Sequence, residues 1–135
     1  MTEEFEIDND LRYTKNHEWI RVEGVSGLVG VTDFAQKQLG DITYIEFEVE
    51  EDDEVGAGEI FTTVEAVKAS EPCYLPASGK IIELNYELED EPELVNKDPY
   101  RKGWMVKIEL TEPSQLEKLL SPAEYGELLK EVEHQ

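Results

Sequence analysis

The sequence predicts a mainly β protein, a sandwich or flattened barrel of short strands followed by two C-terminal helices. Short segments rich in β-branched and aromatic residues recur along the chain, with turn residues between them. Residues 42–49 alternate between apolar and acidic side chains, which is typical of a half-buried strand. The length of 135 residues suits one domain, which we expect over residues 11–135. Residues 1–10 are expected to form a loose acidic tail, the alternative being a terminal strand.

The first predicted elements are a hairpin and a short helix. Residues 19–22 and 27–31 are β-rich and are separated by a turn at 23–26. Thr32 can cap a helix that runs to Leu39, because its hydroxyl can accept a hydrogen bond from a free amide of the first turn. Gly40 can end that helix, since glycine adopts backbone angles that other residues avoid.

The central part of the chain predicts further strands around a charged turn at 51–54. In the strand 42–49, Ile45, Phe47 and Val49 form the apolar face. Other strands are expected at 60–67, 73–75, 80–84 and 104–110. In the last of these, Trp104 is expected on the same face as Val106, opposite Met105.

Two capping boxes predict the C-terminal helices. Ser114 with Glu117 can begin the first helix, and Ser121 with Glu124 can begin the second. The second helix has a stripe at helical spacing that we expect to pack on the sheet. The stripe consists of Tyr125, Leu128, Leu129 and Val132.

Composition excludes several classes of partner. The net charge of −21 repels nucleic acid and anionic lipid, and it attracts basic proteins. Cys73 is the only cysteine, so no intrachain disulfide can form and a reducing cytoplasm is expected. The first ten residues carry no positive charge, unlike a secretory signal, and no apolar run approaches the roughly 18 residues that span a bilayer.

Lys68 is the main candidate for a functional residue. It is the only basic residue in the interval 39–78, which contains eleven Asp and Glu. It follows the predicted strand 60–67, so we expect it in an exposed connection that a modifying enzyme can reach. Acylation would remove its charge. The alternative is an ordinary solvated lysine on a turn.

Catalytic and metal-binding alternatives have little support in the sequence. The two histidines, His17 and His134, belong to no recognisable pattern with a Ser or Cys nucleophile. No Cys and His spacing resembles a zinc site, and the acidic run 50–54 lacks the spacing of a calcium loop.

The segment Glu65-Ala66-Val67-Lys68-Ala69 resembles the lipoyl-attachment site of the glycine cleavage system H proteins, which is usually Glu-Ser-Val-Lys-Ala. The resemblance extends in order from about Tyr13 to Leu129. Its other blocks are Tyr13-Thr14, His17-Glu18-Trp19, Gly30-Val31-Thr32-Asp33, Ala35-Gln36, Leu39-Gly40-Asp41-Ile42, Pro76-Ala77-Ser78-Gly79-Lys80-Ile81, Glu91-Pro92-Glu93-Leu94-Val95-Asn96, Asp98-Pro99-Tyr100 and Gly103-Trp104.

This resemblance implies a lipoyl/biotinyl-type flattened β-sandwich, or barrel-sandwich hybrid, with short flanking helices. It implies lipoic acid in amide linkage to Lys68, and a carrier rather than an enzyme. The arm would take an aminomethyl group from glycine decarboxylase to aminomethyltransferase, and dihydrolipoamide dehydrogenase would then reoxidise it. Lipoate ligase, or octanoyltransferase with lipoyl synthase, would attach the lipoyl group.

The resemblance also implies a cleft for the loaded arm beside His17 and Glu18. We expect Glu18 to accept a hydrogen bond from the cationic aminomethyl amine, the alternative being a strand-end carboxylate in water. The residues expected to flank the arm are Glu65, Ala66, Val67, Ala69, Ser70 and Cys73.

Departures from the family pattern lie near the arm and leave the cargo open. Ala66 replaces the usual Ser, Pro72 stands at the usual Asp, and the Leu-Pro break after the strand 42–49 is missing. A second hypothesis is an H-like lipoate-binding protein that carries sulfur for a heterodisulfide-reductase-like complex. Cys73 could then exchange with disulfides, or it is a small buried hydrophobe. A third is a scaffold that relays lipoyl groups to other proteins.

Overall fold

The computed structural model describes residues 5–133, which form two antiparallel β-sheets bordered by short helices. The strands are β1 Arg12–Tyr13, β2 Glu18–Glu23, β3 Ser26–Val31, β4 Ile42–Phe47, β5 Glu54–Val55, β6 Ile60–Ala66, β7 Ser70–Tyr74, β8 Gly79–Leu84 and β9 Val106–Leu110. The helices are α1 Asp33–Leu39, α2 Glu87–Asp90, α3 Leu94–Lys97, the 3₁₀ helix Pro113–Lys118 and α4 Pro122–Glu133. The predicted mainly β sandwich is confirmed.

The larger sheet has the order β1-β2-β3-β9-β8-β5, and the smaller sheet has the order β4-β6-β7. Their facing sides form one apolar core, to which Ile20, Val29 and Ile108 contribute from the larger sheet and Ile45 and Val64 from the smaller one. Each such buried side chain stabilises the fold by about 1.5–3 kcal/mol. The alternation predicted for β4 is confirmed, since Ile45 is buried and Glu46 is exposed.

Glycine is required at two positions near α1, Gly30 in β3 and Gly40 at the end of the helix. A side chain at Gly30 would meet the ring of Trp19, because a Cβ there would lie 2.8 Å from the ring. Thr32 caps α1 as predicted, with its hydroxyl accepting a hydrogen bond from the Ala35 amide at 3.2 Å. Gly40 ends α1 with a φ of 78°, a conformation that L side chains rarely adopt.

A second cluster, largely aromatic, joins the N-terminal strands to α4. Tyr13 and Tyr125 stack with ring centroids 4.4 Å apart, and both are fully buried with Trp19. The capping box that starts α4 is confirmed, because the Ser121 amide donates to the Glu124 carboxylate at 2.9 Å and the Glu124 amide donates to the Ser121 hydroxyl at 3.2 Å. In the stripe of α4, Tyr125 and Leu129 are buried and Leu128 is half-buried, while the side chain of Val132 lies outside the described part.

The N-terminal segment differs from the loose tail that the sequence predicts. Residues 1–4 lie outside the described range, but residues 5–8 pack against the domain. The Glu6 amide donates to the Asp33 carboxylate at 2.8 Å, and Asp8 pairs with Arg21 at 3.2 Å. The sequence of residues 5–8 alternates between apolar and acidic side chains and does not indicate these contacts. Each contact depends on a partner more than ten residues away in the sequence.

The C-terminal region also differs from prediction in its first helix. Residues 113–118 form a 3₁₀ helix without a side-chain cap, so Ser114 and Glu117 form no capping box. The chain must return within a few residues to Leu120, whose backbone exchanges two hydrogen bonds with Tyr13. This short distance favours a tighter turn than an α-helix.

The strand 104–110 begins later than predicted. β9 starts at Val106, and Met105 is fully buried although the alternation placed it opposite the apolar face. Trp104 is half-buried. Among the described residues, no helix is long and apolar enough to cross a membrane.

Candidate functional site

Lys68 lies at the tip of the hairpin that joins β6 to β7. Glu65 pairs with Ser70, and the Ala66 amide donates to the Ala69 carbonyl at 2.8 Å, so Val67 and Lys68 form a two-residue loop. The Val67 amide donates to the Asp41 carbonyl at 3.2 Å, which fixes the loop to the start of β4. Lys68 is exposed, and no described residue makes an ion pair or hydrogen bond with its ammonium.

A cleft of about 340 Å³ lies beside this hairpin. One side is formed by the chain just before and at the start of β2, another by α1, and the third by β7. Its lining is mixed, with apolar groups and a few polar ones. The lining residues are Asn16, His17, Glu18, Val31, Phe34, Ala35, Gln38, Leu39, Ala69, Glu71, Pro72 and Cys73. The structure thus brings His17, Glu18, Ala69 and Cys73 together in the lining of one cleft.

Glu18 is a buried carboxylate, only 2% exposed, and not a strand-end group in water. Its Oε1 accepts a hydrogen bond from the Thr14 hydroxyl at 2.5 Å, and its Oε2 accepts one from the Tyr74 amide at 3.1 Å. Burial raises the pKa of this carboxyl, and the two hydrogen bonds offset the rise only in part. Glu18 therefore ties β7 to the start of β2, and its charge would be favoured by a cation in the cleft.

His17 contributes to the same wall through a hydrogen-bonded chain. Its Nδ1 lies 2.9 Å from the Tyr125 hydroxyl, which lies 2.7 Å from the hydroxyl of Thr32. Thr32 accepts from the Ala35 amide, so its own proton needs an acceptor in this buried site. Donation from Thr32 to Tyr125 and from Tyr125 to His17 satisfies every group, and it makes Nδ1 the unprotonated nitrogen. Burial lowers the pKa of His17, which is consistent with a neutral ring.

Cys73 lies in the cleft lining but behaves as a buried hydrophobe. It is 4% exposed and packs within the sandwich core. Burial raises the pKa of its thiol, and the nearby carboxylates of Glu18 and Glu71 raise it further. Thiol–disulfide exchange needs a thiolate with access to its partner, so this position is poorly suited to it.

The remaining predicted residues lie on the hairpin rather than in the cleft. Glu65 and Ala66 are half-buried near the end of β6, and Val67 and Ser70 are exposed around Lys68. Sequence reasoning missed Phe34 and Gln38, because their place in the cleft depends on where the fold puts α1 relative to β7. Glu71 was also missed, because a single exposed glutamate in an acidic chain gives no signal of its own.

A flattened β-sandwich that displays a lysine at a tight hairpin tip, next to a cleft, is the form of a carrier domain for a group attached through lysine. A family model described as the glycine cleavage H-protein matches residues 11–132, and the chain belongs to this family. The resemblance in the sequence blocks is therefore confirmed.

Two relatives illustrate the match. A glycine cleavage system H protein of Carboxydothermus hydrogenoformans is 50% identical over 125 residues, which cover 93% of this chain and 95% of the relative. The crystal structure of a glycine cleavage system H protein from Mycobacterium marinum superposes with a TM-score of 0.78 at 34% identity. That alignment covers 88% of this chain and 95% of the other, so the likeness extends over nearly the whole fold.

Proposed function

We propose that this protein is the lipoyl carrier of a glycine cleavage system, with lipoic acid joined to Lys68 by an amide. Family membership carries the proposal, together with the exposure of Lys68 within a segment that resembles the attachment site. The protein acts as a carrier and contributes no catalytic residue. Residues 11–135 form the carrier domain.

The residues around Lys68 fit a lipoyl group. The ammonium is exposed, and the hairpin is held at both ends by backbone hydrogen bonds, so an attached arm would swing from a fixed point. The cleft of about 340 Å³ lies next to that point and has apolar side chains for a dithiolane to contact. When bound, lipoic acid supplies a disulfide that the cargo opens and that oxidation closes again.

The charges in the cleft favour an aminomethyl cargo over a sulfur cargo. Glu18 and Glu71 line it, and the described lining includes no Lys or Arg. An aminomethyl amine is cationic and would stabilise the charge of the buried Glu18 carboxylate. A persulfide anion would be repelled by the same two groups. The burial of Cys73 also disfavours the sulfur hypothesis.

The partners in this proposal are glycine decarboxylase, aminomethyltransferase and dihydrolipoamide dehydrogenase. Lipoate ligase, or octanoyltransferase with lipoyl synthase, would modify Lys68. The acidic surface would speed encounters with basic docking sites on these enzymes. We place the protein in the cytoplasm, where a single unpaired cysteine is ordinary.

The test compares the natural protein with Lys68→Arg after coexpression with the lipoylating enzymes. We expect the natural protein to gain the mass of one lipoyl group, and then an aminomethyl group when glycine and purified glycine decarboxylase are added. Lys68→Arg should gain neither mass, and its circular dichroism and melting temperature should be unchanged because the side chain is exposed.

Two results would contradict the proposal. Lipoylation of the Lys68→Arg protein would show that another lysine carries the arm. A lipoylated protein that takes no group from glycine, but takes sulfur from a persulfide donor, would favour the sulfur pathway.

A further inference from the structure

We propose that residues 5–8 form a strap that positions one wall of the arm cleft. The wall consists of Phe34 and His17, both of which line the cleft. The strap lies outside the region that the family model matches, which begins at residue 11. This proposal rests on the proposed function, since it concerns the cleft in which the loaded arm would lie.

The backbone of the strap is joined directly to the first residue of α1. The Glu6 amide donates to Oδ2 of Asp33 at 2.8 Å. The Tyr100 hydroxyl donates to the Glu6 carbonyl at 2.5 Å and accepts a hydrogen bond from the Asp33 amide at 3.2 Å. Glu6 is thus linked to both the side chain and the main chain of Asp33, immediately before Phe34.

Aromatic contacts continue from the strap to the cleft. The Phe5 ring meets the Phe34 ring edge-on, with centroids 4.9 Å apart. The Phe34 ring also contacts the His17 ring, with centroids 4.4 Å apart. Phe5 therefore supports Phe34 from behind, and Phe34 supports His17. Loss of the Phe5 ring would leave a gap that Phe34 can move into.

The far end of the strap is fixed by residues that do not line the cleft. The Tyr13 hydroxyl accepts from the Asp8 amide at 2.7 Å and donates to the Asp8 carbonyl at 2.6 Å. The Asp8 carboxylate pairs with Arg21 at 3.2 Å. Since Tyr13 and Arg21 belong to β1 and β2, the strap holds α1 in place relative to the larger sheet.

The test uses Phe5→Ala with two matched variants of the full-length protein. Phe5→Tyr keeps the ring and should restore the natural behaviour. Ile7→Ala removes an apolar contact from the same strap, but the Ile7 side chain lies beside Gly126 of α4, and Ile7 is not among the residues that line the cleft. Ile7→Ala therefore controls for a general loss of stability.

The first readout needs no lipoyl group. Phe34 gives the His17 ring protons a ring-current shift in the NMR spectrum of the unmodified protein. Phe5→Ala should move these resonances toward their values in a free peptide, whereas Phe5→Tyr and Ile7→Ala should leave them in place. The resonances of His134, which lies outside the described residues, can be assigned and set aside with a His134→Gln variant.

The second readout is the hydrolysis of the carrier loaded from glycine, which releases formaldehyde and ammonia and restores the thiol. We expect release several-fold faster from Phe5→Ala than from Ile7→Ala or Phe5→Tyr. Equal rates of formaldehyde release from all three variants would overturn the proposal that residues 5–8 position the wall. Unchanged His17 resonances in Phe5→Ala would also overturn it. If the natural protein cannot be loaded at all, the proposed function fails, and the His17 resonances still decide whether the strap holds the wall.

Discussion

The pKa of the Glu18 carboxyl is set by opposing effects, and a charged group in the cleft would change it. Burial disfavours its charged form, while the Thr14 hydroxyl and the Tyr74 amide favour that form. The net result is a raised pKa, so the folded protein binds the Glu18 proton more tightly than the unfolded chain does. A cation close to Glu18 would favour the charged form and so lower the pKa again.

The raised pKa predicts how Glu18→Gln changes the pH dependence of stability. A carboxyl whose pKa is raised by folding stabilises the protein below its ordinary value of 4.5, and this contribution is lost as the pH rises through the folded value. Glutamine resembles the protonated acid and does not titrate. We therefore expect the natural protein to lose stability relative to Glu18→Gln as the pH rises from about 4.

Urea unfolding of both proteins across this pH range measures the difference. Asp33→Asn is a useful contrast, because hydrogen bonds from Glu6, Gln36 and Lys37 outweigh burial and lower the pKa of Asp33. The Asp33 carboxylate therefore contributes stability with the opposite pH dependence. Its contribution is present above the pKa of Asp33 in the unfolded chain, and it is lost as the pH falls through the pKa of Asp33 in the folded protein. A Glu18→Gln difference that does not vary with pH would show that the carboxyl is solvated.

Helix α4 is joined to the cleft wall by hydrogen bonds from Tyr125. Tyr125 stacks on Tyr13 and links α4 to His17 and to Thr32, the cap of α1. Burial raises the pKa of its hydroxyl, which therefore stays protonated and can donate. The helix thus supports the wall by hydrogen bonds as well as by apolar packing.

Two substitutions at Tyr125 separate these contributions. Tyr125→Phe keeps the ring but removes the acceptor for the Thr32 hydroxyl proton and the donor to His17 Nδ1, so we expect a loss of about 1–3 kcal/mol in the free energy of unfolding. Tyr125→Ala also removes the stacked ring, and the loss should exceed about 3 kcal/mol. Chemical denaturation checks both values.

Leu128→Ala is the control for Tyr125, because Leu128 lies on the same helix but is only half-buried. Its loss should be the smallest of the three. If Tyr125→Ala changes the unfolding free energy by no more than Leu128→Ala, then α4 is only loosely attached and the wall does not depend on it.

Elements with a strong local signal could be predicted from the sequence. Strict alternation revealed β4, and the cap at Thr32 with Gly40 bounded α1. The helices α2 and α3 were missed because four residues are too few to show a helical period. Tertiary contacts stabilise them, as when the Asn96 side chain accepts from the Ile42 amide and donates to the Gly40 carbonyl.

The sequence was enough to select Lys68 as a candidate, but it indicated only some of the residues that line the cleft. Lys68 stood out because it is alone in an acidic interval and lies within a family motif. The rest of the site depends on contacts between distant segments, such as the Tyr74 amide on Glu18, and no local pattern encodes these. Sequence reasoning therefore named Glu18 but placed it in water as one alternative, which its burial excludes.

The whole molecule carries far more negative charge than its basic residues can balance. There are 33 Asp and Glu against 12 Lys and Arg. Within residues 5–133, the ion pairs Lys80–Asp52 and Lys130–Glu127 lie at the surface, where each contributes about 0–1 kcal/mol. Unpaired carboxylates therefore repel one another more strongly in the compact fold than in the expanded unfolded chain.

This repulsion predicts that salt stabilises the protein. Added NaCl shortens the screening length from roughly 30 Å at 0.01 M to about 3 Å at 1 M, so the repulsion in the folded state should weaken and the melting temperature should rise. The control is Glu51→Lys, at an exposed position in the acidic turn, which changes the net charge by +2, from −21 to −19. It should melt higher than the natural protein at low salt and gain less from added salt. Calorimetry between these salt concentrations checks both expectations, and a melting temperature independent of salt would mean that local pairing already offsets the charge.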